Sequence, residues 1–364
     1  MGAIGAGVIG CGNISQAYFD AIKQLPDLDI LACADINMDA ARAKAAANGV
    51  DALTVDELLG RDDIEVVINL TLPQTHAEVN RQILNAGKHA HCEKPFAVTR
   101  EDGLEVLELA KSKGLRVGCA PDTFLGGGHQ TVRKLIDDGA IGRPVSGTAF
   151  FATPGHERWH PNPGFYYLTG GGPVFDMGPY YITALVNLLG PVVEVTSMNS
   201  RKADARIATS EAANGKVLPV EVDTHSTALL RFENGAVITM VLSFDIWKHT
   251  NHNIEIHGTD GSISVPDPNF FGGDVKLSEK GEDWKVVPHT HPFEGNMRGL
   301  GPTDLAAATR TGRPHRCSGE LAYHVLDVMH AIDEATARKS YVQVKSRCER
   351  PAPMRNDLKD GYLD

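Results

Sequence analysis

The chain has no C-x-x-C pair, and its six cysteines, at positions 11, 33, 92, 119, 317 and 348, show no spacing suited to zinc. They are expected as reduced, mostly buried thiols of a cytoplasmic protein. Also missing is any apolar run approaching the ~18 residues that a membrane span requires. The first residues carry neither a basic segment nor a cleavable apolar core, and Ala6 stands where a myristoylation signal needs Ser or Thr. Export and anchoring are not expected. Clustered Lys and Arg are lacking too: 35 of them face 46 Asp and Glu, a net charge of −11 that argues against a nucleic-acid partner and leaves small molecules as the expected ligands. No repeat, low-complexity tract or linker interrupts the 364 residues, more than one core usually serves, so two tightly packed domains are expected.

What the chain does have is glycine at its start, in two overlapping patterns within MGAIGAGVIGCGNIS. Gly5 to Gly10 spells G-x-G-x-x-G outright, whereas Gly10-Cys11-Gly12-Asn13-Ile14-Ser15 puts serine in the third glycine position. A dinucleotide turn must follow a strand and open a helix, with an acid about 20 residues further on. Only the second frame leaves a strand before it, Ile4 to Ile9, and a helix directly after it. Asp35 lies 23 residues beyond Gly12 but 28 beyond Gly7. Gly10 then makes the tight turn and Gly12 lets N–H groups of the turn meet a pyrophosphate at a helix N-terminus. Asp35 would bind the ribose hydroxyls and repel a 2′-phosphate, and Ile36-Asn37 offers no cation to neutralise one, which favours NAD over NADP. The plainer reading of Asp35 is a helix cap.

Apolar strands alternate with helices up to about residue 122: Ile30 to Ala34, Ile64 to Leu70, His89 to Cys92 and Leu115 to Ala120, with capping-box spellings at Thr54-x-x-Glu57 and Thr75-x-x-Glu78 and a C-cap at Asn48-Gly49. This pattern predicts a doubly wound parallel sheet over 1–122, whose ligands bind beyond the carboxyl ends of the strands. The candidates there are the glycine turn, Asp35, Thr71-Leu72-Pro73, Glu93-Lys94-Pro95 and Ala120-Pro121-Asp122. From 123 to 364 the texture changes. A helix over Gln130 to Asp138, strand-like segments such as Val145 to Ala152, hairpin signals at Asn234-Gly235 and Asp260-Gly261, and helices over Tyr180 to Leu189 and Glu320 to Ala335 predict an α+β domain on an open, mostly antiparallel sheet.

Several stretches, NLTLPQTHAEVNRQILNAGKHAHCEKPFAVT, GHERWHPNPGFYY, GGGPVFDMGPYYITALVNLLG and SGELAYHVLDVMHAI, resemble the glucose-fructose oxidoreductase and inositol dehydrogenase family, Gfo/Idh/MocA, over nearly the whole chain. The resemblance implies a Rossmann domain holding a pyridine nucleotide, with a sugar or polyol held over the nicotinamide by the second domain. It implies cofactor contacts at Gly10, Gly12, Asn13, Ile14, Asp35, Thr71, Pro73, His76, Glu93 and Lys94. Substrate contacts fall at Lys94, Asp122, Trp159, His160, Asp176 and Tyr180. Lys94 matches the family's active-site lysine and Asp176 its aspartate. The histidine usual four residues later is here Tyr180.

Removing a proton from an alcohol demands a base within hydrogen-bond reach. A tyrosine of pKa ~10 would need lowering by about three units, roughly 4 kcal/mol, which one ammonium at ~4 Å supplies at an effective dielectric of ~20. Tyr180 is therefore read as proton acceptor, Lys94 as electrostatic activator and substrate ligand, and Asp176 as the group that orients Lys94. A desolvated Lys94 acting as base is the rival. Asp176 as a helix cap and Tyr180 as a core aromatic remain open, with Pro179 beginning their helical turn. The loop carrying His156, Arg158, Trp159 and His160 is either a stacking surface for a sugar ring or merely structural. His76 is read as a helix-start residue near the cofactor rather than a base. The histidines at 249, 252, 257, 289 and 291 form no metal-ligand pattern, and no metal is expected. The expected activity is NAD-dependent oxidation of a neutral sugar at a secondary or anomeric C–OH, an aldose such as a pentose going to its lactone, in a homodimer or homotetramer. An NAD-dependent glycosidase and a non-catalytic nucleotide-binding regulator are the alternatives.

Overall fold

A computed structural model describes residues 2–358 and 361–363. The first segment runs β1 (Ile4–Ile9), α1 (Ser15–Ile22), β2 (Leu28–Ala34), α2 (Met38–Asn48), β3 (Asp51–Leu53), α3 (Val55–Leu59), β4 (Val66–Asn69), α4 (His76–Asn85), β5 (His89–Cys92), α5 (Arg100–Ser112) and β6 (Val117–Cys119). Its six strands are parallel, in the order β3-β2-β1-β4-β5-β6, so the chain reverses direction across the sheet between β1 and β4. That reversal opens the crevice in which doubly wound sheets bind ligands. The first glycine frame proves to be strand: a Cβ on Gly5 would fall 2.0 Å from the Asp63 carbonyl oxygen, and one on Gly7 would meet Leu58 at 2.7 Å. Those glycines let β1 sit close to its neighbours, and the turn belongs to the second frame.

Local signals fare unevenly. Thr54 and Glu57 form the reciprocal capping box, and Gly49 ends α2 in the left-handed conformation. Thr75 does not cap, because Pro73–Thr75 is a tight 3₁₀ turn that holds residue 75 in helical rather than extended backbone; its hydroxyl donates instead to the Leu72 carbonyl at 2.9 Å. Asp35 is not a cap either. Asn37 takes that role for α2, accepting from the Asp39 N–H.

The second segment contains α6 (Gly127–Asp137), β7 (Pro144–Ala152), α7 (Gly172–Leu189), β8 (Val192–Ser200), β9 (Ala205–Ile207), β10 (Val217–Pro219), β11 (His225–Phe232) and β12 (Val237–Ser243). After these come β13 (Ile254–Gly258), β14 (Gly261–Val265), β15 (Val275–Glu279), β16 (Lys285–Val287), α8 (Leu300–Thr311), α9 (Gly319–Arg338) and β17 (Val342–Gln343). Nine strands form one sheet in the order β16-β15-β14-β13-β7-β12-β11-β8-β17, antiparallel except for the β7–β12 pair. Strand β11 alternates buried and exposed residues throughout, as a sheet covered on one face requires. Helices α7 and α9 pack on the covered face.

Helix α7 begins at Gly172, eight residues before the expected Tyr180, with Pro173 in its first turn. Pro179 therefore lies inside the helix instead of starting it. Proline fits a first turn because no N–H is needed there, and Pro173 already fills that place. Helix α8 turns back to the first sheet, where Leu305 and Ala306 join the core of Val8, Tyr18 and Val66. A larger core runs continuously from Phe96 and Phe124 to Leu185 and Met329. The tail crosses between the segments: Arg350 pairs with Asp137 at 2.7 Å, and the Met354 N–H donates to Gln130 at 2.8 Å. Among the described residues no helix is long and apolar enough to cross a membrane.

Candidate active site

Beyond the carboxyl end of β1, Gly10 has φ +101°, and a Cβ there would lie 2.6 Å from the Leu70 carbonyl group. Only glycine fits such a turn. At Gly12 a Cβ would point into open space. Among the described residues the backbone N–H groups of Gly12, Asn13 and Ile14 donate to no acceptor. Three free donors at the entrance to α1 form an anion cradle suited to a pyrophosphate. Ser15 is fully buried, and its hydroxyl closes the turn by donating to the Gly12 carbonyl at 2.6 Å. Asp35 stands at the end of β2 and accepts from the Cys11 N–H at 2.8 Å, so the glycine turn and this carboxylate are joined directly. Ile36 beside it is almost fully exposed.

From this turn a cleft of about 280 Å³ extends toward the second segment. Ile14, Thr71, Pro73, His76, Glu93 and Lys94 border it from the first segment; Asp176 and Tyr180, with Phe165 and Tyr166, border it from the second. Glu93 is held by two donors, the Tyr18 hydroxyl and the Lys94 N–H, each at 2.9 Å. The His76 ring lies between the Pro95 carbonyl at 2.7 Å and the Thr71 carbonyl at 3.0 Å, and burial pushes its pKa down, which keeps it neutral.

Lys94 and Asp176 form the chemical centre. The ammonium lies 2.8 Å from Asp176 Oδ1 and 2.9 Å from the Asp176 carbonyl oxygen. Two of its three N–H groups are thereby taken, and the third finds no acceptor among the described residues. Burial would depress the lysine, but Asp176 above all, with Glu93, outweighs it and holds Lys94 protonated, above its ordinary range. Burial likewise opposes the Asp176 charge, yet Lys94 and His156 keep the carboxyl well below its usual value. Tyr180 follows Asp176 by one helical turn, and its ring lies under the ammonium, 5.2 Å from Nζ to the ring centre.

The structure corrects three readings. The phenol of Tyr180 is raised, not lowered: burial is the largest influence and exceeds the lowering by Lys94, whose charge Asp176 already engages. The rival, a neutral Lys94 base, fails for the complementary reason, since its carboxylate partner stabilises the charged form. Asp122 is also displaced from the expected role. It is buried, and its Oδ2 accepts from the Gly299 and Gly301 N–H groups at 2.8 and 2.9 Å, which anchors the start of α8. Trp159 and His160 lie at the rim, rings 5.3 Å apart, with His160 edge-on to Tyr166; Trp159 is largely exposed.

Three contributors were not assigned from sequence. Tyr18 read as part of an apolar stripe, His156 as one of several loop residues, and Arg298, which acts on the Tyr180 phenol, lies in a loop without a motif.

A dinucleotide cradle joined to a buried lysine–aspartate pair and a phenol defines a nucleotide-dependent oxidoreductase. The description "Oxidoreductase family, NAD-binding Rossmann fold" matches residues 4–120, and "GFO/IDH/MocA C-terminal domain" matches 129–264. An uncharacterised oxidoreductase of Schizosaccharomyces pombe is 30% identical over 308 residues, 80% of this chain and 77% of that protein. Levoglucosan dehydrogenase of Pseudarthrobacter phenanthrenivorans is 28% identical over 289 residues, 72% of each chain. A solved structure of levoglucosan dehydrogenase with NADH and L-sorbose superposes with a TM-score of 0.82 at 24% identity, covering 95% of this chain and all of that one, a likeness of fold. The chain belongs to the Gfo/Idh/MocA family of oxidoreductases.

Proposed function

We propose that the protein oxidises a neutral sugar or polyol at a secondary or anomeric C–OH, with an aldose going to its lactone as the first candidate, and catalyses the reverse reduction. The observation that carries this reading is the free third N–H of Lys94 beside the Tyr180 phenol, in a cleft continuous with the dinucleotide turn. Gly10, Gly12, Asn13 and Ile14 would hold the pyrophosphate, Asp35 the ribose, and Thr71, Pro73, His76 and Glu93 the nicotinamide half. Bound there, the dinucleotide supplies the acceptor or donor of a hydride. Lys94 would hold the reacting oxygen by its free N–H, and Tyr180 would exchange the proton with it. The rim aromatics Trp159 and His160 would stack on the sugar ring.

NAD is favoured over NADP because Asp35 presents a carboxylate where a 2′-phosphate would sit, and Ile36 and Asn37 supply no opposing cation. The open sheet face exposes Met198 and Leu229, which favours a homodimer or homotetramer that covers it. The relative named levoglucosan dehydrogenase supports a carbohydrate substrate. Aldoses, polyols and glycosides screened with NAD and with NADP test the proposal: reduced nicotinamide should accumulate with a neutral sugar and NAD. Product formed from glycosides with no net reduced nicotinamide would instead indicate the transient-oxidation glycosidase, and no turnover at all would indicate the regulator.

A further inference from the structure

The loop between β7 and α7 carries one side chain into the lysine–aspartate pair. His156 Nε2 lies 2.9 Å from Asp176 Oδ2, the carboxylate oxygen that Lys94 does not use. Both side chains are nearly buried, at 8% and 13% exposure. The imidazole is boxed by rings, with centres 4.4 Å away at Tyr166, 4.5 Å at Phe244 and 5.3 Å at Trp159. Its backbone is fixed as well. The His156 N–H donates to the Tyr167 hydroxyl at 3.1 Å, and the adjacent Glu157 pairs with the half-buried Arg206 at 2.9 Å. Gly155 turns the chain with φ +114°, where a Cβ would strike the Glu157 carboxylate at 2.1 Å.

The remaining ring nitrogen, Nδ1, is buried without a partner. That decides the tautomer. A neutral ring protonated on Nε2 donates to Asp176 and leaves only a lone pair unsatisfied at Nδ1, whereas an imidazolium would bury an orphaned N–H. His156 thus donates through Nε2 to one carboxylate oxygen.

We infer that His156 is the positioning residue of this site: by occupying Oδ2 it fixes the rotation of the Asp176 carboxylate and keeps the third N–H of Lys94 free for the substrate oxygen. Without that donor, Oδ2 becomes a buried, unsatisfied charged acceptor. The Lys94 ammonium, already bonded to Oδ1, is able to satisfy it, and doing so consumes the N–H that substrate needs. Sequence offers no such role for position 156, twenty residues from Asp176 and on a different element.

The inference rests on the dehydrogenase reading, and two measurements separate the fates of the two. His156→Phe retains a ring among Tyr166, Phe244 and Trp159 while removing the donor and the orphaned nitrogen together. On the sugar found by the screen, kcat should fall at least ~10-fold, with cofactor affinity and thermal midpoint unchanged. His156→Gln, whose amide N–H reaches the Nε2 position, should restore most of kcat. Wild-type kcat in the Phe variant, or a Gln variant no better than Phe, overturns the inference and leaves the dehydrogenase reading intact. If the wild type turns over no sugar, that reading fails, and a crystal structure of His156→Phe decides the inference alone. Lys94 bridging both Asp176 oxygens supports it, and Lys94 still on Oδ1 and the backbone carbonyl overturns it.

Discussion

Lys94 and Tyr180 both carry their protons at neutral pH, for opposite reasons. The lysine is held charged by a buried carboxylate, and the phenol is held neutral by burial. Two proton donors suit reduction of a carbonyl, while oxidation requires the phenol to lose its proton first. The rate of sugar oxidation should therefore climb steadily from pH ~7 to ~9 with a slope near one on logarithmic axes, since the accepting form grows tenfold per unit below its pKa. A rate already level below pH 7 would show that another base takes the proton. At this scale the sequence was informative about which residues meet. A lysine beyond a strand's end lies where such folds bind ligands, and an aspartate–tyrosine pair one helical turn apart shares one face. It was misleading about their charge, because the balance between burial and Lys94 depends on how deep the Tyr180 ring lies. His156 and Arg298 were illegible: each reaches the site from a loop whose path is set by distant contacts, such as Glu157 with Arg206.

Among the elements, the β1–α1 turn was the most readable, because a strand must precede the dinucleotide turn and a helix must follow it. The structure adds why the earlier glycines are there: β1 is pressed against Asp63 and Leu58. Helix α7 was read eight residues too short, since a proline within an apolar run looks like a beginning, and the glycines at 170–172 look like a loop. Thr75 has the letters of a capping box but stands in the wrong backbone conformation for one. Asp35 allows an element-level test. Its carboxylate accepts from the Cys11 N–H at the proposed ribose site, so Asp35→Ser should shift the ratio of kcat/KM for NADP over NAD upward by ~10-fold, equivalent to about 1.4 kcal/mol of relieved repulsion. Initial rates with the two cofactors provide the check, and an unchanged ratio would show that Asp35 does not govern the choice.

For the whole molecule, the alternating strand–helix pattern and the hairpin turns announced both sheets. The return of α8 to the first sheet and the tail crossing from Arg350 to Met354 had no local signal, because such contacts link residues far apart in sequence. Packing also buries histidines: His91, His129 and His324 are all buried. Burial lowers His91 to about 3 and His129 and His324 to about 4, against an ordinary value of 6.5. A lowered histidine favours folding while both states are neutral, and its contribution is lost as pH falls from 6.5 toward the folded value, because the unfolded chain binds the proton first. Asp333, raised to about 6 by burial and by Asp223, opposes this with one proton. The net expectation is a loss of stability between pH 7 and pH 5, read from urea unfolding at each pH. A constant midpoint would mean that these histidines are not held neutral.

The pairing of an ammonium with a phenol at the mouth of the dinucleotide crevice is tested most directly by the single-turnover rate of nicotinamide reduction, with saturating NAD and the preferred sugar, in wild type and Tyr180→Phe. The account expects a loss of ~10²-fold or more with cofactor affinity unchanged, because the variant keeps the ring under Lys94 and removes only the hydroxyl that carries the proton. Equal rates in the two proteins would contradict it.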